Sequence, residues 1–113
     1  MTFNIDDLTL KQIREISNLV KGGDISKPHP FKVGKNYLIR TVTMILVGRL
    51  EAVHDTELVL SSASWIADTG RFHDALKTGS VAEVEPFTED VIVGRGSLID
   101  ATIWTNALPK EQK

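Results

Sequence analysis

Residues 36–53 read NYLIRTVTMILVGRLEAV. The run is rich in aromatic and β-branched side chains, which fit a pleated and half-buried surface. It is too long for one straight strand of a small domain. A bend or break near Thr43–Val47 is therefore expected, with Gly48 as the place for a bulge or tight curvature. His54-Asp55-Thr56 reads as a short turn, and ELVLSSASWI reads as the next strand. Two such strands in succession commit the chain to a meander of curved antiparallel strands.

The rest of the chain is arranged around that meander. Thr9 and Gln12 form a capping box before Leu10, Ile13, Ile16, Leu19 and Val20, and Gly22-Gly23 stops the pattern, which predicts a helix over 9–21. Pro28 and Pro30 exclude regular helix in the connector that follows. Lys21, Lys27, Lys32, Lys35 and Arg40 face Asp24 alone there, so the connector is either a solvated basic segment or part of an anion site. Asp68-Thr69-Gly70 breaks the strand pattern, and a short helix is expected over 71–77, ended by Gly79. SVAEVEPF, VIVGRG and SLIDATIW read as further strands, and ALPKEQK reads as a polar tail that frays. The expectation is one domain over 1–113 of α+β type, mainly β. It comprises a small, strongly bent antiparallel barrel or sheet over 36–105, an N-terminal helix, a short inserted helix and a tail over 106–113.

Composition narrows the function classes. The net charge is −2 over 113 residues, which argues against a broad basic face for duplex nucleic acid. The chain has no cysteine, so disulfides, thiolate zinc sites and cysteine nucleophiles are excluded. MTFNIDDLTLKQ lacks the basic start and apolar run of a signal peptide, and no apolar run is long enough to span a bilayer. A cytoplasmic protein is expected. No Walker loop, dinucleotide glycine fingerprint or G-x-S-x-G elbow is present. His73 and Asp74 are adjacent and point apart on a helix, and Asp68, His73 and Asp74 do not form a recognised metal signature. No catalytic residue, metal or cofactor is therefore expected. Glu83, Glu85, Glu89 and Asp90 read as a solvated acidic edge.

Two resemblances add to this reading. Gly48, Leu50 and Asp55, followed by Leu58 and Leu60, together with Val93, Arg95, Gly96, Leu98 and Ile99, resemble the two halves of the Sm and Sm-like motif. That resemblance implies a bent barrel, Sm-like or SH3-like, which assembles into rings through its edge strands and reads single-stranded RNA. Thr56, Glu57 and Leu58 stand where Sm proteins carry their base-reading asparagine. The wider pattern YLIRT…WIADTGRF…SLIDATIW resembles a family of small bacteriophage proteins. Phage proteins of this size include oligomeric sponges that absorb cyclic nucleotide or cyclic ADP-ribose immune signals. By analogy, this suggests a phage-encoded, non-catalytic oligomer in the host cytoplasm that binds and sequesters a small anionic nucleotide-type signal. The alternatives are an Sm-like RNA binder and a phage structural or accessory protein without a small ligand.

The candidate ligand-binding residues are Arg40, Trp65, Asp68, Thr69, Arg71, Phe72 and Arg95. Trp65 either stacks on a base or fills the core. Trp104 reads as core or interface. Asp68-Thr69-Gly70-Arg71 either forms an anion nest or simply caps the short helix. Phe72 belongs to the same cluster, or anchors that helix. Arg40 lies in an apolar strand run, and Arg95 stands between two glycines. A lone cation in either setting is an exposed residue, an ion-pair partner or a phosphate contact. Whether Arg40, Arg71 and Arg95 converge at a subunit interface is a question of fold.

Overall fold

The computed structural model describes residues 28–113. The chain divides into two compact units, Met1–Pro30 and Phe31–Lys113. The helix expected over 9–21 lies outside the described residues. The second unit contains β1 (Asn36–Thr41), β2 (Ile45–Val53), β3 (Glu57–Asp68), α1 (Phe72–Thr78), β4 (Glu83–Pro86), β5 (Val91–Gly94), a 3-10 turn (Arg95–Ser97) and β6 (Leu98–Ile103).

The strands form one six-stranded sheet in the order β4-β3-β2-β1-β6, with β5 also against β3. Every pairing is antiparallel. The long apolar run breaks over 42–44, slightly earlier than its composition suggests. Thr41 sets the position. Its Oγ1 accepts the Met44 N–H at 2.9 Å, and its own N–H donates to the Met44 carbonyl at 2.8 Å. Gly48 lies where the β2–β3 register slips, between Val47 and Arg49. β3 kinks at Ser62, the one described non-glycine residue with positive φ, at 48°. On one edge β3 therefore pairs first with β5, from Glu57 to Leu60, and then with β4, from Ser64 to Asp68.

The sheet buries apolar residues on both faces because β1 and β2 alternate between them. Tyr37, Ile39, Leu46 and Leu50 join Leu58, Leu60 and Val93 in one cluster. Leu38, Val47 and Ile66 join Ala75 of α1, Val84 and Trp104 in the other. The left-handed Gly79, at φ 81°, ends α1 and donates its N–H to the Ala75 carbonyl.

The expected α+β, mainly β architecture is present, and of barrel or sheet the strands form a sheet that is not closed into a barrel. β6 pairs with β1, while Val84 of β4 exchanges backbone hydrogen bonds with Lys113 in both directions, at 2.9 and 3.1 Å. The chain's own tail thus occupies the outer edge of β4. Beyond that pair, ALPKEQK is held against the sheet. Leu108 packs on the second cluster, and the Pro109 carbonyl stands 3.5 Å from the Ser64 hydroxyl.

Candidate functional site

The β1–β2 turn, the far end of β3 and the start of β6 enclose an open depression of about 400 Å³. Its lining includes Arg40, Val42, Met44, Trp65 and Ile99. Cross-strand register places each of them. Trp65 stands opposite Leu46 on β2 and Glu85 on β4, beyond the Ser62 kink. Leu46 is buried, but Trp65 remains 39% exposed although it is paired on both sides. Ile99 is the extra residue of a bulge between Arg40 and Thr41 of β1, and it is 62% exposed.

Arg40 is opposite Asp100 on β6. Its guanidinium grips that carboxylate with two hydrogen bonds, Nε to Oδ1 at 2.8 Å and Nη2 to Oδ2. The same guanidinium lies 5.4 Å from the centre of the Phe72 ring, within cation–π range. The Arg40 hydrogen bonds lower the Asp100 pKa below its ordinary value, and those bonds raise that of Arg40. A carboxyl with a lowered folded-state pKa adds stability above its unfolded pKa and loses it as pH falls through the folded value. Asp100→Asn should therefore weaken the protein near neutral pH and flatten the fall in stability below about pH 4. Urea denaturation across that range, at low and high salt, measures the effect, and salt should shrink it because the pair is exposed.

The other candidates are distributed unevenly. Phe72 supports Arg40 and is itself partly exposed, so the anchoring role in α1 passes to the buried Ala75. Thr69 and Arg71 line a separate hollow of about 280 Å³ with Asp74, Ser80 and Lys113. Asp68 and Thr69 do not cap α1: its N-cap is Arg71, without a side-chain cap hydrogen bond. Asp68 Oδ1 instead accepts the Gly70 N–H at 2.8 Å, and Thr69 Oγ1 donates to the Gly70 carbonyl at 2.7 Å. The turn is closed by its own carboxylate, which occupies an amide that an anion nest would need. Arg95 does not line either hollow. Its Nη1 donates to the His54 carbonyl at 2.6 Å, and its guanidinium lies 5.5 Å from the Phe31 ring centre, so it ties down the β2–β3 turn.

The fold adds residues that composition alone does not single out. Asp100 completes the Arg40 pair, while Val42, Met44 and Ile99 give the depression its apolar walls. A lone cation and a lone anion in two apolar strand runs were the available signal, but their pairing depends on register. The hydroxyls of Ser61 and Ser97 bond to Glu51 and the Gly94 carbonyl, not to an imidazole. Among the described residues no cluster of three His, Asp or Glu side chains could hold a metal. None of the described helices is long and apolar enough to cross a membrane. No protein-family model matches the chain, and no curated protein or solved structure is significantly similar to it.

Proposed function

We propose that this protein is a non-catalytic binding module for a small, planar, anionic ligand of nucleotide type, held in the Arg40–Trp65 depression. The observation that carries this reading is an indole left 39% exposed in the same open hollow as a guanidinium. The base stacks on Trp65, and a phosphate reaches the outer side of Arg40. Asp100 already neutralises Arg40, so stacking supplies most of the affinity, about 1–3 kcal/mol per base. Arg71 and Arg95 stand outside the depression and drop out of the phosphate contacts. In the same reading the protein is phage-encoded, works as a homo-oligomer in the host cytoplasm and sequesters its ligand unchanged. The curvature at Gly48 and Ser62 and the 3-10 turn before β6 favour kinship with Sm-like and SH3-like folds.

The test is a titration with nucleotides, cyclic dinucleotides, cyclic trinucleotides and cyclic ADP-ribose isomers, followed by melting temperature and tryptophan fluorescence. A bound ligand raises the melting temperature by mass action. Trp65→Ala should weaken binding about 5- to 150-fold, the equivalent of one stacked base. Heat release should return the ligand intact. No shift across the panel would sink the nucleotide reading.

A second reading is favoured by Val42 and Ile99, which are 71% and 62% exposed beside the same hollow. On that reading the depression is part of a protein contact in a phage structural or accessory protein. Trp65→Ala would then alter assembly and leave every small ligand without effect.

A further inference from the structure

β6 ends the sheet and, among the described residues, pairs with β1 alone. The Trp104 N–H donates to the Asn36 carbonyl. Antiparallel pairing alternates residues that bond the neighbouring strand with residues that face away from it. Thr102 and Asp100, in step with Trp104, therefore direct their backbone groups at Leu38 and Arg40 of β1. Ala101 and Ile103 direct theirs away from β1, at an edge that no other described strand pairs. Exposed edges are commonly blunted by lysine, proline or a bulge; LIDATI has neither lysine nor proline, and its one bulge lies near its start, at Ile99. Its single charge, Asp100, is held by Arg40 from the neighbouring strand. Ile99 and Ile103, 62% and 40% exposed, flank the edge at its two ends.

We infer that β6 pairs antiparallel with β6 of a second copy, around a two-fold axis at Ala101, so that one sheet runs through a dimer. The register follows from the side chains. With Ala101 opposite itself, Ile103 of each copy meets Ile99 of the other, and Asp100 meets Thr102. Moving the axis to Asp100 would set two carboxylates directly opposite each other, which is unfavourable. Moving it to Thr102 would carry Ile99 beyond the paired residues. A two-fold contact of this kind is self-complementary and closed. It takes the homo-oligomer of the reading above and names its interface. Ile99 lines the Arg40–Trp65 depression, so the second copy's Ile103 reaches the rim of that site. The pairing does not require the ligand.

Light scattering on the full chain should give twice the 12.5 kDa monomer mass at micromolar concentration. Ala101→Pro removes an N–H that faces away from β1, so it should leave the fold intact and weaken the dimer at least about tenfold. Ile103→Lys should do the same by placing charge on the edge. The chain has no cysteine, so Ala101→Cys creates a single thiol per copy. In this register the two Cα atoms lie about 5.5 Å apart, within disulfide range, and oxidation should cross-link the dimer. Ile103→Cys should not cross-link to itself. A monomeric wild type, a ring larger than a dimer, or a folded Ala101→Pro variant that still dimerises would overturn the inference. Trp65 fluorescence reads ligand binding separately, so failure of the interface and failure of the ligand reading are distinguishable.

Discussion

Trp104→Ala should lower the unfolding free energy by about 3–5 kcal/mol, the range for removing a buried aromatic side chain. Trp104 is 2% exposed and packs with Leu38, Val47, Ile66 and Val84 in the second cluster. Its indole N–H donates to the Ala107 carbonyl at 3.1 Å, which turns the chain back over the sheet just after β6. The loss therefore has two parts. One is a cavity among the aliphatic side chains that cannot fully collapse. The other is release of the turn that brings Leu108 onto the cluster and Lys113 beside Val84. Urea denaturation should report the free energy, and melting should fall by at least about 12 °C for a chain of this size. Hydrogen exchange should show the amides of Val84 and Lys113 losing protection at the same time. Trp65→Ala is the internal comparison: with 39% of that residue exposed, its effect on stability should be clearly smaller. Similar losses at the two tryptophans would contradict the placement of the second cluster.

Gly48→Ala should cost about 1–3 kcal/mol, although alanine is ordinarily well tolerated in place of glycine. A Cβ built on Gly48 comes within 2.9 Å of the Ala63 Cβ, 3.1 Å of the Ala63 Cα and 3.3 Å of the Leu60 Cβ. Two of these neighbours are side-chain atoms and one is backbone, so relief requires the two strands to separate. The approach exists because β2 slips register at Gly48 and β3 kinks at Ser62, which presses the concave side of the sheet together. Gly48→Val should cost more than Gly48→Ala. Ala63→Gly should recover part of the loss, and a double-mutant cycle should return a favourable coupling between the positions. Gly48→Ala at no cost would mean that the strands do not approach this closely.

The strands, the turn over His54-Asp55-Thr56, the break at Asp68-Thr69-Gly70 and the stop at Gly79 were legible in the residues themselves. Each depends on local chemistry. β-branched runs prefer the pleat, and glycine at Gly79 accepts φ 81° without a Cβ clash of its own. The site was less legible. Trp104 read as core or interface and is buried, but for Trp65 the residues left stacking and core both open, and the fold leaves it 39% exposed. Asp68 and Thr69 are helix-capping residue types. The chain places them in a turn that they close on itself, three and two residues before the N-cap at Arg71.

What the order of amino acids determined by itself was a mainly β chain with a bend at Gly48 and one short helix after Gly70. Nearest-neighbour sterics and alternation suffice for that. What only the tertiary structure decided was register, and register controls the rest. It set Arg40 against Asp100 across 60 positions, sent Arg95 to the His54 carbonyl instead, and laid the polar tail along Val84 at the edge of β4. Long-range pairing of this kind depends on how two strands slide past one another. A one-residue slip moves every side chain to the opposite face, and no local preference of either strand specifies it.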